Sequence, residues 1–274
     1  MGRPRLAQDA ARSNGESDPL MPAPRLSVIV TTHLRPDVLP RALLSLTALG
    51  PEIQIVLCAD EASQATRQIA ADNLRDHDIF LAVPGLRGPS ETRNLGLRLA
   101  TGDYVSFLDD DDTMDAAVLA LLPEMDGTHV LYANYRKIFE GEEGTSRVEH
   151  RRVTKQTTSR PISALMVRNF LHIGGFFAPR TVIRDLAFRS DLAVSEDWEF
   201  LIQLYKAAPF RHLNIIASNW HIVEGAASRN KVGKKMRIRA CKAIYQLHPV
   251  TDDALRQQRI ARLEGLGVTE VDSP

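Results

Sequence analysis

A doubly wound α/β sheet, mostly parallel and continued by a smaller mixed half, is the fold class that this chain predicts. Three observations carry it: short, nearly continuous apolar runs recur at 26–32, 53–59, 79–83 and 104–108, helix-spaced segments alternate with them, and the links between are short. The 274 residues suffice for one large α/β domain or two small ones, and 44% hydrophobic content is that of an ordinary globular protein.

Residues 1–24 mix Pro, Ala, Arg, Asp, Ser and Gly without periodicity and read as a disordered leader. The run LSVIVTT at 26–32 suits a parallel strand covered on both faces. Pro36 and Pro40 then stand where a first helical turn tolerates proline, and Ala42, Leu43, Leu46 and Leu49 follow at helical spacing up to Gly50. A strand at 53–59, a helix near 63–73, a strand at 79–83, the loop PGLRG and a helix at 89–100 lead into the run at 104–108. Beyond it the alternation loosens. A helix is expected near 115–122, a strand near 129–133, and a hairpin whose arms, 135–139 and 147–153, flank EGEEG. Apolar segments at 162–167 and 173–177, a helix at 196–207 and a strand at 213–223 complete the mixed half.

Composition excludes several classes. With 34 basic and 34 acidic residues the formal charge is zero, so no nucleic-acid partner is expected. Cys58 and Cys241 lack metal-ligand or redox spacing and read as reduced core residues of a cytoplasmic protein. No apolar run reaches the length of a membrane span. Seven Lys or Arg lie between 229 and 242 without one acid, while Val232, Met236, Ala240, Ala243 and Leu247 are placed to line a helix face. The expected use of that stretch is a solvated helix packed on the main domain, with peripheral contact to an anionic membrane as the alternative.

The chemistry concentrates where the run at 104–108 ends in Asp109, Asp110, Asp111 and Asp112. Four adjacent carboxylates repel one another and cannot all stay ionised in a dry interior, so they belong at a mouth open to water or facing a cation. Strand ends of an open α/β sheet are where ligands bind, and a hard divalent ion bridging to phosphate is the natural partner. The plainer reading is a polar loop in which Asp112 or Thr113 caps the next helix.

The order VIVTTHLRP, IVLCADEAS, ETRNLGLRLATGDYVSFLDDDD and SEDWEFLIQLY resembles glycosyltransferase family 2 of the GT-A fold, over roughly residues 26–228. The resemblance implies an inverting transfer from a nucleotide-diphosphate sugar, UDP being the expected nucleotide, to a glycan or other hydroxyl acceptor. It implies a divalent cofactor, Mn or Mg, on Asp111 with His221 as a further ligand. Asp109 and Asp110 would touch ribose or complete the ion's outer shell. Thr31, His33, Arg35, Asp60, Arg93 and Glu196 would line the nucleotide-sugar cleft, Asp197 would be the general base, Trp198 an acceptor contact, and Arg229 would meet the diphosphate. On this reading 25–113 is the donor half, 114–228 the acceptor and catalytic half, and 229–274 a basic helical segment. Two positions depart from the family pattern: His33 and Leu34 stand where Tyr-Asn is common, and Ala59, Asp60, Glu61, Ala62 and Ser63 where Asp-Asp-Gly-Ser is common.

Each residue also has a structural reading. Arg93 would be a surface arginine on Glu91 or Asp103. Ser195, Glu196 and Asp197 would cap the helix that follows them, Trp198 would be a packing residue, and His221 a structural histidine at a strand end. At the level of function the alternatives are a non-catalytic nucleotide-sugar-binding module and a metal-dependent nucleotidyltransferase. The latter is expected to carry a Gly-rich phosphate loop after the first strand, where THLRP has no glycine.

Overall fold

The computed structural model describes residues 23–85, 87–143, 146–224 and 233–268; residues 1–22 of the expected leader, and Arg229 with its expected diphosphate contact, lie outside the described residues. The first half is the expected alternation: β1 (Leu26–Thr32), α1 (Leu39–Thr47), β2 (Ile53–Asp60), α2 (Gln64–Asn73), β3 (Ile79–Val83), α3 (Gly88–Leu99) and β4 (Tyr104–Asp109). The second half holds β5 (Thr113–Met114), a 3₁₀ run Ala116–Glu124, the hairpin β6 (Val130–Glu143) and β7 (Ser146–Lys155), β8 (Phe176–Pro179), α4 (Arg180–Ile183), α5 (Glu196–Ala207) and β9 (Phe210–Val223). Helices α6 (Lys234–Leu247) and α7 (Asp253–Gly265) follow.

The strands form one sheet in the order β3-β2-β1-β4-β8-β6-β9-β5, with β7 added beside β6. β1 to β4 run parallel, β8 is antiparallel to both β4 and β6, and β9 runs parallel to β6. Register brings the carboxyl ends together: Thr31 lies opposite Cys58 on one side and Asp109 on the other. Alternation along β1 feeds two cores, Leu26, Val28 and Val30 packing with the α1 leucines while Ile29 packs with Val105, Phe107 and Phe200. The part of the sheet formed by β1, β2 and β4 is therefore buried on both faces.

Four expectations need correction in detail. The helix near 115–122 is a 3₁₀ run whose start is capped by Asp115, its side chain accepting from Ala117 N–H at 3.0 Å, and which contains Pro123. The two short strands expected at 129–133 and 135–139 are one 14-residue strand, β6, with register shifts around Asn134. Asn134 is buried, and its side-chain oxygen accepts from the backbone N–H and hydroxyl of Thr157. On α6 the buried stripe is Ala240, Cys241, Ile244 and Tyr245, whereas Met236 and Leu247 are 46% and 37% exposed. The stripe is rotated because Tyr245 carries a polar handle, its hydroxyl donating to Val167 O at 2.7 Å. Finally α7, which no apolar stripe announced, packs a buried arginine, Arg259, against α6. Cys58 and Cys241 are buried free thiols.

Candidate active site

A cleft of about 360 Å³ opens at the carboxyl ends of β1, β2 and β4, lined by Thr31, Thr32, His33, Arg35 and Asp60 on one side and by Arg93, Asp109, Asp110, Asp111 and Glu196 on the other. Asp60 is buried where β2 meets the start of α3, and its carboxylate accepts from the backbone N–H of Arg87 at 3.1 Å and of Gly88 at 2.9 Å. His33 Nδ1 lies 2.9 Å from the Asp60 carbonyl oxygen. A carbonyl only accepts, so Nδ1 carries the proton and the exposed ring is held with its Nε2 edge free of that bond.

The aspartates divide by alternation. Side-chain exposure is 40% for Asp109 and 22% for Asp111, against 4% for Asp110 and 2% for Asp112. The open pair, Asp109 and Asp111, is thus separated by one residue, and the closed pair is held by neighbouring side chains. Asp110 accepts from Thr32 Oγ1 at 2.7 Å and from Arg35 Nη1 at 2.8 Å, while the other arm of Arg35 pairs with Asp111. Burial pushes the Asp110 carboxyl up to about 7, against the opposing pull of Thr32 and Arg35. Asp112 accepts from His221 N–H at 2.9 Å and from the His172 ring at 3.1 Å. Burial alone would lower the His172 pKa, but Asp112 outweighs it and raises it.

Arg93 is 5% exposed, which removes the surface reading. Its guanidinium bridges the end of β4 to the start of α5, reaching Asp109 at 2.9 Å and Glu196 at 2.8 Å. Burial opposes its charge, yet the two carboxylates more than offset that and raise its pKa. Beside this bridge, Asp197 Oδ2 accepts from Asn169 Nδ2 at 2.9 Å. Burial, then the neighbouring Glu196 charge, raise the Asp197 pKa above the ordinary carboxylate range. The residue that precedes them, Ser195, enters α5 at φ +64° and makes no side-chain cap bond. Leu34 (+49°), Glu61 (+59°) and Ser195 are the three non-glycine residues with positive φ among the described residues, and each is next in sequence to a residue that lines this cleft.

Three expected site residues are not among those that line the cleft: Asp197, Trp198 and His221. Trp198 is 5% exposed, donates from Nε1 to Leu165 O at 2.7 Å and meets Tyr245 edge-on, so it is a packing residue and not an acceptor platform. His221 lies outside the cleft lining: Nδ1 is 2.7 Å from Glu140 Oε1 and Nε2 is 3.1 Å from Thr113 Oγ1. Nδ1 thus donates to a carboxylate, while Nε2 meets a hydroxyl. Among the described residues no three His, Cys, Asp or Glu side chains form a ready-made metal cage.

Several residues went unnoticed in the sequence. Arg41 on α1 donates to the Asp111 carbonyl at 2.7 Å and to Glu140 Oε1 at 2.6 Å. Glu140 sits in a polar hairpin arm that looks solvated in the sequence, yet is 5% exposed and has no partner for Oε2 among the described residues. Asn169 and His172 fall between two apolar segments, and only a buried polar residue in such a setting hints at a role.

The mostly parallel sheet, the acidic end of its central strand and the acidic start of α5 together match an α/β transferase scaffold, the GT-A fold. The chain belongs to glycosyl transferase family 2, whose model matches residues 27–187. A beta-1,3-glucosyltransferase of Campylobacter jejuni that acts on GalNAc(5)-diNAcBac-PP-undecaprenol is 34% identical over 103 residues, 36% of this chain and 33% of that protein. The chain therefore spans about a third of the length of that relative. Among solved structures, S. aureus TarS 1-349 in complex with UDP-GlcNAc superposes with a TM-score of 0.60 at 19% identity, covering 87% of this chain and 71% of that one. A mannosyltransferase of Pyrobaculum calidifontis in complex with GDP-Man and Mn2+ superposes with a TM-score of 0.57 at 16% identity, covering 90% and 71%. No described helix is long and apolar enough to cross a membrane.

Proposed function

We propose that the protein is an inverting glycosyltransferase that moves a sugar from a nucleotide diphosphate, UDP, to a hydroxyl acceptor. The observation that carries this reading is the Arg93 bridge, which ties Asp109 at the open end of the central strand to Glu196, the residue before Asp197 at the start of α5. The residues 25–113 would hold the donor, with the exposed His33 ring and Asp60 toward the base, and 114–228 the acceptor. Asp197 would take the acceptor's hydroxyl proton as its oxygen bonds to the sugar's anomeric carbon and the bond to the diphosphate breaks, releasing a nucleoside diphosphate. A carboxylate whose pKa is raised toward neutrality suits that proton transfer. Asn169 orients it, and Arg93 holds Glu196 and Asp109 in place around the leaving diphosphate.

The donor set fits a hard divalent ion. Asp109 and Asp111 offer open carboxylate oxygens, and Mn or Mg commonly takes one or two such groups, completing its shell from substrate phosphate and water. When bound, the ion would neutralise charge developing on the departing diphosphate. The experiment is product analysis on a screened acceptor with UDP-GlcNAc and UDP-glucose as donors. UDP with an inverted anomeric centre supports the reading, whereas pyrophosphate release, or retention of configuration, contradicts it.

A further inference from the structure

The face of the β6–β7–β9 sheet beside the cleft is built like a saccharide shelf. Register puts Tyr135 and Lys137 of β6, Lys155 and Val153 of β7, and Ser218 and Trp220 of β9 on that face. His172 reaches it from below: its ring stacks on Tyr135 at 5.3 Å and on Trp220 at 5.8 Å, both at 24° between planes. Tyr135 and Trp220 remain half-exposed, and neither the Tyr135 hydroxyl nor the Trp220 N–H finds a hydrogen-bond partner among the described residues. Flat aromatic faces with unused polar edges suit a sugar ring, whose C–H face stacks while its hydroxyls hydrogen-bond.

Charge narrows the ligand. Lys137 Nζ lies 4.2 Å from the Trp220 ring centroid, and Lys155 is exposed on the neighbouring strand, close enough for its charge to lower the Lys137 pKa after burial has done so. Among the described residues neither lysine makes an ion pair, whereas Arg151 farther along the face is paired with Glu224. Two adjacent unpaired ammonium groups are best relieved by one group of double charge, and a phosphate accepts from both.

The shelf is wired to the reacting end. The loop that supplies His172 also supplies Asn169, which bonds Asp197, and His172 itself bonds Asp112 at the end of the central strand. We propose that Tyr135, Trp220, Lys137 and Lys155 form an acceptor subsite for a phosphorylated saccharide. The word acceptor rests on the glycosyltransferase reading above; the phosphosaccharide specificity rests on the shelf alone.

The test uses the full chain, with methyl glucoside 6-phosphate and neutral methyl glucoside as probes, followed by saturation-transfer NMR and calorimetry. UDP affinity, measured on the same preparations, reports the donor cleft separately. The phosphorylated probe should bind at least tenfold more tightly than the neutral one. Lys137→Ala with Lys155→Ala should abolish that preference, and Trp220→Leu should weaken both probes. Arg152→Ala, which removes a positive charge from the opposite face of β7, should change neither. Equal binding of the two probes, or a preference that survives in the lysine variant, overturns the proposal. Probe binding with the expected pattern but no UDP binding by the wild type would support the phosphosaccharide site and strike down its acceptor role together with the donor reading.

Discussion

Asp197 and Glu196 are adjacent carboxylates whose surroundings give them different work. Glu196 is neutralised by Arg93, whereas Asp197 is held by the uncharged amide of Asn169 in a poorly solvated corner. Replacing Asp197 by Asn keeps the shape and the bond partners, so donor affinity should stay within about twofold while kcat falls on the order of 10²-fold or more, the usual yield of general base catalysis. Donor-binding calorimetry beside a transfer assay checks this, and near-normal turnover would move suspicion to Glu196. If Asp197 is the base, as proposed, kcat/KM should rise with pH through an apparent value above about 3.9, the ordinary aspartate value. Asp110 gives a stability prediction of known sign. Its pKa rises from 3.8 to about 7 on folding, so the folded state binds its proton more tightly than the unfolded chain does. That contribution is complete below pH 3.8 and lost as pH rises through 7. In EDTA, the melting temperature of Asp110→Asn relative to wild type should therefore climb between pH 4 and pH 7; a flat difference would contradict the burial account.

Among the elements, α3 and the C-terminal pair hold the site in place. α3 lies close on β1 because Gly96 has no side chain; a Cβ there would meet Ile29 Cγ2 at 2.5 Å and Cys58 Sγ at 3.2 Å. Both neighbours are in the core, so Gly96→Ala should cost about 1–3 kcal/mol and tilt the helix that carries Arg93. The expected readout is a melting temperature several degrees lower with weaker UDP binding, and an unchanged melting curve would refute it. On the far side of α5, Arg259 is fully buried and donates to the carbonyls of Met166, Tyr245 and His248. Arg259→Met would orphan those carbonyls at a cost of roughly 3 kcal/mol or more. Limited proteolysis should then open α6 and α7 well before the sheet, whereas resistance equal to wild type would show that the apolar contacts suffice. These two helices matter to the site because they press on α5 through Trp198, Ile202 and the Glu199–His248 bond of 2.9 Å.

At the scale of the whole molecule, the parallel half was legible because strands buried on both faces must be apolar throughout, and such runs alternate there with helix-spaced segments. The acidic end of β4 and the start of α5 were legible for the opposite reason, since charge clustered beside a buried run needs an explanation. What escaped notice depends on contacts between distant segments. Nothing local marks Glu140 as buried, because its partners Arg41 and His221 lie 99 and 81 residues away. The contacts of His221 escaped notice for the same reason, its position at a strand end being visible and its partners not. Helix α7 was hidden because the residue it buries most completely is an arginine. The account as a whole stands on the open Asp109–Asp111 pair serving a metal-bound nucleotide. Its most direct test is calorimetric titration of UDP into wild type and Asp111→Asn, each with Mn and with EDTA. The account predicts binding at least tenfold tighter with Mn in the wild type and loss of that gain in the variant. Equal affinity under all four conditions would contradict it.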